Sequence, residues 1–210
     1  MLDAPNRDRN AERREATRRE IVEAAWAIAR ESGLAELTLR DVAARVGMRA
    51  PSLYSHFASK NAIYDAMFGQ AWSEYESSVL ALEDALPEHP RAAAKQYGRH
   101  FFDFAVDDLP RHQLMNQRVI PGFEPSPESY APAVRVLERA AANVRELGVT
   151  SEDDFAILIA LIGGLINQHH ANDPGGDRYA GLLDRAIDMW ADAVGLPAED
   201  PAPPSRKSAP

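Results

Sequence analysis

The chain has 210 residues, 45% of them hydrophobic and 26% charged, enough for one large globular domain or two small ones. It has no cysteine, which excludes disulfides and cysteine-ligated zinc, and its longest apolar run, Ala156–Ile166, is too short to span a bilayer. The net charge of −9 argues against nucleic acid only until it is divided, since residues 1–60 hold 11 Lys/Arg against 9 Asp/Glu and the remainder carries −11. Phosphate binding depends on the cations that touch the backbone, so the head of the chain can meet DNA while its acidic body faces solvent, a partner or a ligand. The arginine-rich start has no apolar core of a secretory signal, and a soluble, cytoplasmic protein is expected.

Helical periodicity runs through nearly the whole chain, without an alternating strand pattern, and predicts an all-α fold of about nine helices. Residues 1–13 read as a flexible arm whose Arg7, Arg9 and Arg13, with Arg14 beside them, suit a solvated tail better than minor-groove reading. A first helix is expected over about 14–32, with Ile21, Ala25, Ile28 and Ala29 on one face and Gly33 closing it. Thr38, with Asp41 three residues on, starts a short second helix carrying Leu39, Val42, Ala43 and Val46 and stopped by Gly47. Pro51 suits the first turn of a third helix that buries Leu53 and Phe57. Ser59 caps a long fourth helix with the seam Phe68, Trp72, Tyr75, Val79, Leu82 and Leu86, broken by Pro87 and Pro90. Further helices are expected over about 89–108, 110–118, 128–147, 151–171 and 177–194. The stretch Ile120–Pro132, with four prolines, reads as irregular and overlaps one of these. Ala171–Gly176 is a turn, and residues 197–210 read as a disordered tail.

Two short helices around Gly47, supported by the helix before them, meet the physical needs of a helix-turn-helix. Their apolar residues would lock the pair together. Arg40, Arg49, Ala50, Pro51, Ser52, Tyr54, Ser55 and His56 would then lie outside: small, hydroxylated or basic groups that can approach bases and bond phosphates. Spacing alone leaves an ordinary helical corner open as the alternative.

The stretch LTLRDVAARVGMRAPSLYSHFASKNAIYDAM (Leu37–Met67) resembles the DNA-binding signature of the TetR family, and TRREIVEAAWAIARESG (Thr17–Gly33) resembles that family's first helix. The resemblance implies a helix-turn-helix domain over 14–60 and a ligand-binding and dimerisation domain over 61–196. It implies a homodimeric transcription regulator, a ligand-responsive repressor on a palindromic operator. DNA contacts are implied for Thr38, Arg40, Arg49, Ala50, Pro51, Ser52, Tyr54, His56 and Lys60. Arg40, Arg49 and Ser52 fall at base-reading positions and Tyr54 and Lys60 at phosphate positions. Ala50 departs from the polar residues common at its place, which thins hydrogen-bond readout there. Tyr54 and His56 keep packing roles as alternatives.

The helix expected over 151–171 is apolar nearly all round, so it needs burial on two sides. The resemblance implies that it pairs with the last helix across a twofold axis, through Leu161, Gly163, Gly164, Leu165, Gln168, Leu183, Ile187 and Trp190. The core of a monomer is the alternative. Met67, Phe68, Trp72, Tyr75, Tyr97, Phe101, Phe104 and Met115 could line an effector cavity or fill an ordinary core. An aromatic or hydrophobic small molecule, cationic ones included, suits such a wall. His169, His170 and Asp173, with His100 or Asp103, are weak metal candidates, and no metal or cofactor is expected. A metal-dependent hydrolase built on these residues finds no phosphate loop, nucleophile elbow or carboxylate pair to support it. An architectural DNA-binding protein without a ligand would not need the acidic body.

Overall fold

The computed structural model describes residues 9–199, and among these the regular structure is helical, with no strand. The elements are α1 (Arg9–Ser32), α2 (Leu39–Arg45), α3 (Ala50–Leu53), α4 (Lys60–Glu83), α5 (Pro90–Asp107), α6 (Leu109–Asn116), α7 (Pro127–Glu146), α8 (Glu152–Asn172), a 3-10 turn (Ala180–Leu182) and α9 (Leu183–Ala193). No described helix is long and apolar enough to cross a membrane. The chain folds into two compact units. One holds the residues up to Ser78 with Asp107–Val136, the other Val79–Val106 with the residues from Leu137 onward. This division differs from the boundary expected at residue 60, because α4 and α6 bring residues into the first unit.

In the first unit, α1 buries Ile21, Ala25, Trp26, Ile28 and Ala29 on one face. The helix starts at Arg9, so Arg9–Arg13 are helical where an arm was expected; Arg7 lies outside the described residues. Gly33 and Gly47 close α1 and α2 with positive φ, +90° and +71°, the left-handed conformation that favours glycine. At the start of α2 the Thr38 side chain accepts from Asp41 N at 3.2 Å and donates to the Asp41 carboxylate at 2.6 Å. A cap of this kind is worth about 1 kcal/mol. Leu37, Val42, Ala43, Leu53 and Phe57 are buried and hold α2 and α3 together.

Three polar contacts draw α4 and α6 onto α1 and the chain just after it. Tyr64 donates to the Leu34 carbonyl at 2.6 Å, Trp26 Nε1 to Gln70 at 3.0 Å, and Arg30 Nε to Asp108 at 2.7 Å. Asp108 also caps α6, accepting from Arg111 N at 3.0 Å. The helix α7 begins within the stretch expected to be irregular, and Pro132 lies inside it. Asp65 explains this start: its carboxylate accepts from Ser126 N, Ser126 Oγ and Ser129 Oγ at 2.6, 2.8 and 2.9 Å. Ser126 Oγ accepts in turn from Ser129 N, with Pro127 placed in the first turn, so the helix is nucleated firmly enough to carry the hydrogen bond that Pro132 forgoes.

In the second unit, Phe102, Leu158, Ile162, Ile166, Leu183, Ile187, Trp190 and Ala191 form the core, the fully buried stripe of α9 facing α5 and α8. A Cβ on Gly98 of α5 would stand 2.5 Å from Ile187 Cδ1, so the missing side chain sets how closely these helices approach. Arg91, nearly buried, donates to Asp192 at 2.7 Å and to the carbonyls of Leu196 and Pro197 at 2.8 and 3.1 Å. Lys95 reaches Glu199 at 3.0 Å. Pro197–Glu199, expected in a disordered tail, are thus held by cations of α5; the rest of that segment lies outside the described residues.

Candidate nucleic-acid interface

The exposed side of α2 and α3 is built from the sequence-predicted contacts. Arg40, Arg49, Pro51, Ser52 and Tyr54 are exposed and Ala50 is half-buried. Tyr54 keeps 56% of its surface, which removes the packing alternative for this side chain. Arg40 and Arg49 make no ion pair with a described residue, so their guanidinium groups are not committed within the chain. Arg45, one turn beyond Arg40, is committed: it pairs with Glu31 through contacts of 2.7 and 2.9 Å, which holds its proton more firmly and lowers the Glu31 pKa through the same hydrogen bond.

Other predicted contacts are partly spent. The Thr38 hydroxyl is engaged in its cap. Lys60 Nζ donates to the Ala35 carbonyl at 3.2 Å and stands 5.4 Å from the centre of the Tyr64 ring. His56 is half-buried, with its Nδ1 enclosed and without a hydrogen-bond partner among the described residues. Its carbonyl accepts from Arg18 of α1, whose guanidinium also lies 4.1 Å from the centre of the Phe57 ring. Arg14, one turn earlier on α1, donates to the Ser55 carbonyl at 2.9 Å. Sequence reasoning placed Arg14 beside a solvated arm and passed over Arg18. Their spacing of four on a helix that precedes the motif was the available signal.

A cleft of about 430 Å³ opens in the same unit, walled by Phe68 of α4, Leu114–Asn116 of α6, the segment 117–125 and Tyr130 of α7. Phe68 stacks with Tyr130 at a centroid distance of 6.0 Å and meets Phe123 edge-on at 6.4 Å. Asn116, Gln117, Arg118 and Glu124 supply its polar groups. Of the residues expected to line a cavity, Phe68 and Met115 do so here. Met67 and Tyr75 are buried in the first unit, and Trp72 is half-buried with its Nε1 unpartnered among the described residues. Tyr97, Phe101 and Phe104 belong to the second unit. There Tyr97 donates to Glu83 at 3.0 Å and accepts from Asn143 at 2.6 Å, and burial pushes its phenol pKa well up. The segment Gln117–Pro125 was missed because its prolines read as punctuation rather than as a wall.

The candidate interface residues on α8 and α9 separate into two sets. Leu183, Ile187 and Trp190 are 0%, 0% and 3% exposed, so they serve the chain's own core and cannot present a surface to a second copy. Leu161, Gly164 and Gln168 are exposed, and Gly163 and Leu165 half-buried. Ile157, Ile159, Leu182 and Met189 join them, at 51%, 39%, 40% and 64% exposed. His169, His170 and Asp173 do not converge. His169 lies edge-on to Phe102 at 5.7 Å, His170 Nε2 bonds the Ala105 carbonyl at 3.1 Å, and Asp173 accepts from Arg178 N at 2.9 Å. Among the described residues, no three His, Asp or Glu side chains stand close enough to hold a metal ion.

Residues 21–67 match the family described as "Bacterial regulatory proteins, tetR family". No curated protein matches the chain by sequence. Several solved structures share its fold. A protein of unknown function from Rhodococcus sp. RHA1 is 16% identical with a TM-score of 0.73, over 84% of this chain and 94% of its own. The multidrug binding protein EbrR, complexed with imidazole, is 22% identical with a TM-score of 0.62, over 95% and 100%. A TetR-family transcriptional regulator from Bordetella parapertussis 12822 is 18% identical with a TM-score of 0.62, over 88% and 100%.

Proposed function

From the premise that this chain carries the DNA-binding domain of the TetR family, we propose that it is a transcription regulator that binds an operator as a homodimer and answers to a small molecule. One observation carries the reading. The uncommitted Arg40 and Arg49, together with Pro51, Ser52 and Tyr54, are exposed on and beside α2 and α3, within the residues that match the family. Arginine can bond guanine O6 and N7 together, Ser52 can bond a base edge or a phosphate, and the Pro51 ring can touch a thymine methyl. Tyr54 and Lys60 suit phosphate oxygens, Lys60 after giving up its bond to Ala35. The head carries a small positive charge while the rest of the chain is acidic, which favours docking through the head.

Ile157 and Leu161, four apart on one side of α8, are exposed, as is Met189 of α9, and these apolar side chains support pairing of two copies. A twofold dimer calls for an operator of two related half-sites. The aromatic cleft supports an effector, since its volume lies within the range of about 300–1,000 Å³ usual for small-molecule sites. The fold likeness to EbrR, a multidrug-binding protein, points the same way. Its α6 wall is joined to α1 by the Arg30–Asp108 pair, and Phe68 lies on the helix that opens with Lys60. An occupant that shifts either helix therefore acts on the head, and by linkage DNA acts equally on the affinity for that occupant. Blocking polymerase at such an operator makes the protein a repressor.

Protection footprinting on the DNA upstream of the protein's own gene tests the reading. The expected result is one discrete protected site with two related halves, lost in Arg40→Ala while the dimer persists. Diffuse, salt-sensitive binding without a protected site overturns it.

A further inference from the structure

We propose that Arg14 and Arg18 of α1 are positioning residues for DNA reading: their guanidinium groups hold the carbonyl end of the recognition segment and set its angle. The inference rests on the DNA-binding reading above and assigns a role to residues outside the exposed α2–α3 face.

The recognition helix needs an external hold. Its helical core, Ala50–Leu53, is a single turn, too short to persist through its own hydrogen bonds. Beyond it the chain tightens through Ser55 N to the Ser52 carbonyl at 3.2 Å, His56 N to Leu53 at 2.9 Å and Phe57 N to Leu53 at 3.0 Å. The carbonyls of Ser55 and His56 follow this last turn, and the arginines of α1 take both: Arg14 the first at 2.9 Å, Arg18 the second. Positive charge is favoured at this end of a helix, where the orphaned carbonyls gather. Arg18 adds a second restraint by lying 4.1 Å from the centre of the buried Phe57 ring. Leu53, Val42 and Ala43 are all buried, and α3 packs on α2. Two sets of contacts therefore define the direction in which Arg49–Ser52 project.

These arginines differ from phosphate contacts in a way that can be measured. A cation that neutralises a phosphate releases counterions, and its removal lowers the salt dependence of binding by about 0.9 per contact. A guanidinium committed to a carbonyl within the protein releases none. Chemistry separates them too: lysine can replace arginine at a phosphate as a point charge, but it has no planar guanidinium to lie over the Phe57 ring while donating to the His56 carbonyl.

The experiment selects a duplex from random DNA with the wild-type protein. It then follows fluorescence anisotropy of Arg18→Lys, Arg18→Ala and Arg14→Ala on that duplex and on a scrambled one, over a series of salt concentrations, with melting temperatures measured alongside. The expected result is that Arg18→Lys and Arg18→Ala both lose about tenfold affinity for the selected duplex, the scale of a lost charged hydrogen bond. Affinity for scrambled DNA and the salt slope stay at wild-type values. Arg14→Ala, at an exposed position, shows the same signature and keeps the test decisive if Arg18→Ala does not fold. Wild-type affinity in Arg18→Lys, or a salt slope reduced by about 0.9 in either alanine variant, overturns the assignment in favour of a phosphate contact. An equal loss on selected and scrambled DNA with a lowered melting temperature overturns it in favour of general support. Failure of the wild type to select any sequence strikes instead at the DNA-binding reading.

Discussion

His170 bonds the Ala105 carbonyl through Nε2, and a carbonyl only accepts, so the neutral ring must carry its proton on that nitrogen. Burial lowers its pKa below the ordinary 6.5, against the bond to Ala105, and His169 beside it adds to the effect. His100 is lowered by burial as well, with Asp103 opposing. Both groups bind protons more readily in the unfolded chain. Their contribution to stability is therefore complete above pH 6.5 and is lost as the pH falls through the lower folded values. The melting temperature should hold steady above neutrality and decline as the pH falls below 6.5 through the lowered folded values. His170→Gln, which keeps an N–H donor but cannot take up the proton, should show a smaller decline; an identical pH profile would contradict this account. At the same scale, the exposure of Arg40 and Ser52 could be read from the sequence, because the apolar positions Val42, Ala43 and Leu53 claim the buried side of α2 and α3. The Arg18 contact could not, since its partner is a backbone carbonyl 38 residues away.

Between helices, one glycine decides how α5 meets α9. Gly98 leaves room for Ile187, whose Cδ1 would lie 2.5 Å from an added Cβ. Ile187 is fully buried, so it has little freedom to swing away. Gly98→Ala should destabilise the protein by about 1–3 kcal/mol, the usual cost of overpacking, although alanine is the better helix former. Adding Ile187→Val should recover part of that loss in urea unfolding, and a double variant no more stable than the single one counts against direct contact. The stripe Leu183, Ile187, Trp190 was visible from its spacing, and its burial followed. Which partner it meets was not, because a helix's apolar face looks the same whether its cover is another helix of the chain or a second copy. The start of α7 fell within a residue of the helix expected over 128–147, but its capping group did not show in the sequence, because it includes Asp65, 61 residues before Ser126.

For the whole molecule, the apolar side of α8 calls for a cover. Ile157 and Leu161 are exposed in the single chain, Gly164 permits close backbone approach on the same helix, and Met189 of α9 is the most exposed of these large side chains. If a second copy covers this face, Leu161→Glu combined with Met189→Glu should give a monomer in analytical ultracentrifugation. Operator affinity should fall with it, since one half-site is then bound alone. The unfolding midpoint of the monomer should lose its dependence on protein concentration. A variant that sediments as the wild type does would exclude this surface.

Composition, periodicity and one dense motif determined by themselves the helical fold seen among the described residues and where its helix-turn-helix lies. Those are local matters, decided by caps, glycines and the spacing of apolar residues along a few turns. Tertiary structure alone decided that α6 joins α1 through Arg30 and Asp108, that a proline-rich segment walls an aromatic cleft, and that α1 holds the Ser55 and His56 carbonyls just after α3. Each of these depends on contacts between residues far apart in the chain, and no pattern within one helix encodes the distance between two.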